Sequence, residues 1–239
     1  MNRYSAYLKR MARSALKGKY GLYIVSLIFI MLISGITESI PSSLFGTPTN
    51  VLLFISQLLV SFMLSVLVNM LNIGLTKLAL SICRRQPFSF RDLFYAFTHQ
   101  TDKFLILEII LTAIATLFQL PVLYLNYLVT QEILSYMTYN LIFWIWNFAA
   151  MFFTMLVTLW FALSVYLLID MPELSPLMAL RQRALLRRGL KRRLFYLQLS
   201  FTGMYLLGIV SCGIGFLWIL PYQETAMAMF YLDVRHELS

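Results

Sequence analysis

Long stretches without a charged residue dominate the chain. Uncharged runs cover residues 20–37, 39–76, 109–131, 133–169 and 194–223. The hydrocarbon core of a bilayer is about 30 Å thick, so about 20 apolar residues in one helix cross it once. Because several runs are longer than one span, the pattern predicts an all-α, polytopic bundle of transmembrane helices.

The first half of the pattern predicts two spans. One begins after Lys19 and ends near Glu38, and the next begins near Val51 and can continue as helix to about Cys83. Between them we expect a short irregular outer segment, because residues that break helices cluster there: Pro41, Gly46 and Pro48.

Residues 104–169 contain only Glu108 and Glu132 as charged groups, and one helix of that length would measure about 100 Å. Two further spans are therefore predicted. Their turn is expected where a proline and polar residues accumulate: Pro121, Asn126, Thr130, Gln131 and Glu132.

Residues 194–234 are about twice the length of one span, with Gly213 and Gly215 near the midpoint. A tight helical hairpin fits this pattern and gives six spans in total. The alternative is five spans, with the last dozen residues lying at the outer interface.

Basic residues give the orientation. In the six-span arrangement all nineteen Lys and Arg residues fall on one side, while the opposite loops carry Glu38 and Glu132. Since short cytoplasmic loops are enriched in Lys and Arg, both termini are predicted to be cytoplasmic.

Each outward span is preceded by a stretch with a helical pattern. Residues 3–17 combine an apolar stripe (Tyr4, Tyr7, Leu8, Met11, Ala15) with a basic face, residues 89–97 begin at the capping residue Ser89, and residues 175–189 begin with Ser175 and Pro176. We expect three cytoplasmic amphipathic helices at the membrane surface. The chain is then one membrane domain, 1–239, with helix-hairpin units at 1–83, 84–169 and 170–234.

Composition narrows the class. With 60% apolar residues, 12% charged residues and a mean hydropathy of +0.78, the chain lies outside the range of soluble and disordered proteins. Its net charge of +9 is concentrated beside apolar runs, which favours anionic lipid headgroups as partners over nucleic acid. The basic residues expected to contact them are Arg10, Arg13, Lys17, Arg187, Arg188, Lys191, Arg192 and Arg193.

No pattern of metal ligands or catalytic residues is present. Cys83 and Cys212 are expected near opposite membrane faces and unpaired, and the two histidines have no metal-ligand spacing. We predict no cofactor, no metal and no enzymatic activity.

A few polar residues inside the predicted spans are candidates for a functional site, because ionisable groups are costly in hydrocarbon. Glu224, with Pro221 and Tyr222, is the foremost, either on a substrate or proton path or at a packing kink. Glu108 is expected to be interfacial, and Asn69 and Asn72 are expected to bond to neighbouring helices.

Residues 175–234 resemble a family of bacterial integral membrane proteins classified as domain of unknown function 975. The matching elements are Ser175-Pro176, Ala179-Leu180, Gly189, Leu194-Phe195, Leu199-Ser200-Phe201, Gly213-Ile214-Gly215, Pro221-Tyr222 and Phe230-Tyr231, together with Ala15-Leu16-Lys17-Gly18 near the start. The resemblance implies a polytopic membrane architecture and carries no activity and no site.

Two functions fit these predictions. The first is a non-enzymatic protein of the bacterial cytoplasmic membrane that interacts with lipids or with partner membrane proteins. The alternative is a small transporter, or a transporter subunit, for a lipid or amphipathic solute that passes Glu224.

Overall fold

Every element in the described part of the chain is a helix. The computed structural model describes residues 2–130, 136–182 and 190–238. The helices are α1 (Asn2–Leu16), α2 (Tyr20–Phe45), α3 (Val51–Cys83), a 3-10 turn (Phe90–Phe94) that leads into α4 (Tyr95–Thr98), α5 (Thr101–Thr130), α6 (Tyr136–Asp170), α7 (Pro176–Gln182), α8 (Leu190–Leu199), α9 (Thr202–Val210) and α10 (Phe216–Leu238).

Four helical stretches in the described part are long and apolar enough to cross a membrane: Tyr20–Phe45, Val51–Cys83, Thr101–Val129 and Arg192–Val210. The predicted all-helical class is confirmed, because every described element is a helix. Helix α3 also has the limits that the sequence predicts. Six spans remain a prediction. Helix α6, with 35 residues, also exceeds the length of one span.

Two predicted breaks are wrong. Pro41 lies inside α2, which continues to Phe45, and the turn follows at Gly46 with a φ of +62°. Pro121 and Asn126 lie inside α5, which continues to Thr130, so these two residues do not mark a turn. Helices in lipid tolerate proline because neighbouring groups satisfy the carbonyl that the ring frees. Gln131 and Glu132 lie outside the described residues.

The chain divides into two compact units. The first contains residues 1–31, 70–104 and 161–239, and the second contains residues 32–69 and 105–160. These limits differ from those of the three hairpin units, whose origin as a repeat stays a prediction.

Helix α1 packs along α10 in the first unit. Its fully buried positions are Leu8, Ala12 and Leu16, spaced four residues apart, whereas Tyr7 and Met11 are exposed. The buried face of α1 is therefore rotated about the helix axis relative to the predicted apolar stripe. Alanine at position 12 lets the two helices approach closely, because it adds little side-chain volume.

The segment after α3 is held by a close backbone contact. A Cβ atom on Gly74 would lie 2.1 Å from the carbonyl oxygen of Leu93, so only glycine fits there. Asp92 closes the start of the turn by accepting a hydrogen bond from the Ser89 backbone N–H at 2.8 Å.

Helices α9 and α10 form the predicted hairpin. The turn uses Gly213 at a φ of +90°, and Gly208 and Gly215 lie in contact across it, with a Cβ on Gly215 only 3.0 Å from the Gly208 Cα. Its tip exposes a set of large apolar side chains: Leu206, Leu207, Ile209, Val210, Ile214 and Trp218.

The second unit is held together by aromatic and amide contacts. Phe118 stacks on Phe153 with 5.0 Å between the ring centres, and Trp146 donates its indole N–H to the Phe118 carbonyl at 3.0 Å. The Tyr139 hydroxyl donates to the Asn126 amide oxygen at 2.6 Å.

Candidate functional site

The most concentrated polar contacts of the first unit surround Asp170, the last residue of α6. Its side chain is only 3% exposed, and its two oxygens accept hydrogen bonds from both terminal nitrogens of Arg84 at 2.6 and 2.7 Å. The Tyr231 hydroxyl donates to the same carboxylate at 2.8 Å, and Arg235 is a second cationic partner. We call Asp170, Arg84, Tyr231 and Arg235 the carboxylate clamp.

The carboxylate clamp joins three helix ends. Arg84 follows α3, Asp170 ends α6, and the other two residues lie in the last third of α10. The hydrogen bonds to Asp170 and its negative charge raise the pKa of Arg84 above its usual value. A bidentate arginine–carboxylate pair fixes orientation as well as charge, so the clamp sets the relative angles of these helices.

Glu224 lies on α10 and is partly buried. The Tyr166 hydroxyl donates to it across 3.4 Å, and the Tyr166 ring stacks on Tyr231 with 5.2 Å between centres. Glu224 therefore neighbours the carboxylate clamp through two tyrosines.

Pro221 is buried inside α10, and its carbonyl accepts a hydrogen bond from the Thr225 hydroxyl at 2.7 Å. The Tyr222 ring contacts Phe201 edge-on at 5.3 Å. The structure thus separates the three predicted neighbours, since Glu224 and Tyr222 contact different residues.

The other predicted polar residues lie apart. Glu108 is buried in α5 of the second unit, at 7% exposure. The Asn69 amide donates to the Thr112 hydroxyl at 3.1 Å, which is the bond between helices expected of it. Asn72 is exposed on α3 and belongs to the first unit.

The predicted lipid contacts fall into three groups. Arg10 and Arg13 of α1, Lys17 directly after it and Arg192 of α8 are exposed. Arg193 is partly buried, with its guanidinium 5.0 Å from the centre of the Tyr4 ring, and Lys191 lies in the first turn of α8. Arg187 and Arg188 lie outside the described residues, as does Gly189.

An amphiphilic cleft opens where α1 and α2 meet the α9–α10 hairpin. It measures about 280 Å³ and is lined by Arg13, Tyr20, Met204, Trp218, Ile219 and Tyr222. One cation, two phenols and three apolar side chains therefore share one cavity. We call it the Arg13 cleft.

Several of these residues were missed by sequence reasoning. Of these residues, only Asp170 had a signal in the sequence: it ends an uncharged run and is followed by Arg-rich segments. Its pairing with Arg84 and Arg235 depends on long-range packing that no local pattern reveals. Both cysteines are free, as expected. Within the described residues, no three His, Cys, Asp or Glu side chains are grouped as metal ligands.

Comparison with known protein families places the chain in a family. The family described as "Protein of unknown function (DUF975)" matches the chain over residues 1–237. No curated protein and no solved structure matches it.

Proposed function

We propose that this chain, which belongs to the DUF975 family, is a non-enzymatic, multi-pass protein of the bacterial cytoplasmic membrane that binds anionic lipids on its cytoplasmic side. The observation that carries the proposal is the docking of α1 on α10. Burial of Leu8, Ala12 and Leu16 turns Arg10, Arg13 and Lys17 outward, beside the start of the first apolar helix.

Contacts in the first unit support a single cytoplasmic side. The Lys19 ammonium at the start of α2 lies 5.3 Å from the Phe88 ring that follows α3. Lys103 at the start of α5 donates to the Pro172 carbonyl just after α6. The start of α2 thus lies beside the end of α3, and the start of α5 beside the end of α6, as expected for four full spans with Lys and Arg on one side.

In this proposal the α9–α10 hairpin enters the bilayer less deeply than the four full spans. Lys9 of α1 donates to the Ser200 carbonyl at 2.6 Å, and its ammonium lies 4.0 Å from the centre of the Phe201 ring. The break between α8 and α9 therefore belongs at the level of the headgroups, where an ammonium group is solvated.

From Phe201 to the turn at Gly213 there are twelve residues, or about 18 Å of helix. That distance is about three fifths of the 30 Å hydrocarbon layer, too short to cross it. We therefore propose four full spans, α2, α3, α5 and α6, followed by a hairpin that enters mainly the cytoplasmic leaflet. The stretch Arg192–Val210 is long and apolar enough to cross, but it is broken between α8 and α9. This arrangement leaves both termini in the cytoplasm and replaces the fifth and sixth spans.

Lipid binding follows from charge. Each exposed Lys or Arg near an anionic leaflet contributes about 1 kcal/mol of attraction. Other membrane proteins are the second class of partner, through the apolar sides of the same helices.

Lipid retention tests the proposal. The protein is extracted from membranes in mild detergent, and bound phosphatidylglycerol and phosphatidylethanolamine are counted by native mass spectrometry. We expect the wild type to retain phosphatidylglycerol preferentially, and the triple variant Arg10→Gln, Arg13→Gln, Lys17→Gln to lose most of that preference. Equal retention of the two lipids by the wild type would refute lipid selectivity.

The transporter alternative depends on Glu224. Its hydrogen bond from Tyr166, beside the carboxylate clamp, favours a structural role for this carboxylate. If the alternative were correct, reconstituted protein would move an amphipathic solute and Glu224→Gln would abolish the flux.

A further inference from the structure

The Arg13 cleft combines the two chemistries of a phospholipid in one cavity. At its polar side are Arg13 and the phenols of Tyr20 and Tyr222, and its apolar lining comes from Met204, Trp218 and Ile219. Arginine is the side chain best suited to phosphate, because its planar guanidinium donates two parallel hydrogen bonds. A ligand that satisfies this lining needs an anionic head and an apolar body.

The charge of Arg13 is available for a ligand. Other cations of the same unit are engaged: Arg84 and Arg235 pair with Asp170, and Lys9 lies over Phe201. In the part of the chain that the structure describes, Arg13 has neither an ion pair nor a hydrogen bond from its side chain.

The size of the cleft limits what enters it. About 280 Å³ accommodates a phosphate with its glycerol and the first methylenes, but not two whole acyl chains. The acyl chains would find further apolar surface outside the cleft, because Trp218 is 52% exposed and the neighbouring hairpin tip exposes Leu207 and Ile214. A soluble phosphate compound would leave this apolar surface unused.

We propose that the Arg13 cleft binds one anionic phospholipid of the cytoplasmic leaflet, with its phosphate on Arg13 and the two phenols and its acyl chains along the α9–α10 hairpin. This site rests on the proposed lipid-binding function and makes it specific. The hairpin that enters one leaflet brings its tip to the depth of the acyl chains. The phosphate then lies at the level of α1.

The cleft is tested with single variants and three ligands. Phosphatidylglycerol is titrated into delipidated protein in detergent, and the bound lipid is measured by native mass spectrometry. Arg13→Gln is expected to raise the dissociation constant of the most tightly bound phosphatidylglycerol molecule about tenfold, since a charge-assisted, bidentate contact is lost. Arg91→Gln is the control, because Arg91 is an exposed cation of the same unit that neither lines the cleft nor is one of the predicted lipid contacts; it should bind as the wild type does.

The two other ligands separate a lipid from a soluble anion. Glycerophosphoglycerol has the same head without acyl chains, and inorganic phosphate is the bare anion. Both are expected to bind at least a hundredfold more weakly than phosphatidylglycerol. Trp218→Ala should weaken phosphatidylglycerol binding and leave that of glycerophosphoglycerol unchanged. If either soluble anion competed as well as the lipid, the site would be a phosphate site and the proposal would be wrong.

A folding control keeps the outcome interpretable. Arg13→Lys retains the charge and should bind more tightly than Arg13→Gln, and each variant must elute and unfold as the wild type does. If the wild type prefers phosphatidylglycerol but Arg13→Gln binds it as tightly as Arg91→Gln does, the cleft proposal fails while the general lipid function stands. Loss of any preference in the wild type would overturn both.

Discussion

Asp170 is the shared acceptor of three side chains in the first unit, Arg84, Tyr231 and Arg235. Removing one partner of a buried ion pair leaves the others uncompensated, and this costs more than the pair itself contributes. Two arginines and a tyrosine would lose their acceptor together. The sequence marks Asp170 only as an acid at the end of a long apolar run, so its importance could not be predicted without knowing which arginines reach it.

Asp170→Asn should lower the free energy of unfolding by about 3 kcal/mol, because Arg84 loses its bidentate partner in a largely buried position. Glu173→Gln is the control, since Glu173 is an exposed carboxylate three residues further along the chain. Thermal unfolding in detergent measures both. Equal midpoints for the two variants would show that the carboxylate clamp contributes nothing to stability.

The helices illustrate which parts of the architecture could be predicted. Hydropathy predicted α3 from about Val51 to about Cys83, and the helix has these limits because polar residues flank it at each end. The same method ended the first span near Glu38 and counted Pro121 and Asn126 among the residues of the turn after α5. Both helices continue past their prolines, since proline breaks helices in water more strongly than in lipid. The face of α1 that is buried could not be read from its own sequence, because Tyr7 and Met11 are as apolar as the residues that pack on α10.

Gly74 is predicted to be intolerant of any side chain. Gly74→Ala would put a Cβ 2.1 Å from the Leu93 carbonyl oxygen, so α3 and the 3-10 turn must separate. We expect a loss of about 2 kcal/mol, as for an overpacked core. Gly35→Ala is the matched helical control, because a Cβ there meets nothing within 4 Å. Its unfolding midpoint should be unchanged or slightly raised. A Gly74→Ala protein as stable as this control would contradict the contact.

Native Cys212 reports the depth of the α9–α10 hairpin, because it is exposed at the tip. In a Cys83→Ser background, a half-depth hairpin keeps this thiol in hydrocarbon. We expect a membrane-impermeant maleimide to leave Cys212 unlabelled in intact cells and also in inverted vesicles. Labelling from outside would restore the six-span arrangement.

At the scale of the whole molecule, the proposed arrangement keeps the cationic segments at one surface and lets the apolar helices cross or enter the bilayer. The two compact units have different compositions as a result, with every Lys and Arg in segments of the first unit. The membrane class followed from hydropathy alone. The Arg13 cleft could not be predicted in this way, since it joins residues about 200 positions apart in the chain.

Sidedness of the cationic surface is the central claim, and thiol accessibility tests it most directly. Two single-cysteine proteins are made in a background with Cys83→Ser and Cys212→Ser: Ser14→Cys on α1 and Ser43→Cys near the end of α2, both at exposed positions. We predict that an impermeant maleimide labels Ser43→Cys in intact cells, and labels Ser14→Cys only after the membrane is opened. Labelling of Ser14→Cys in intact cells would contradict the account.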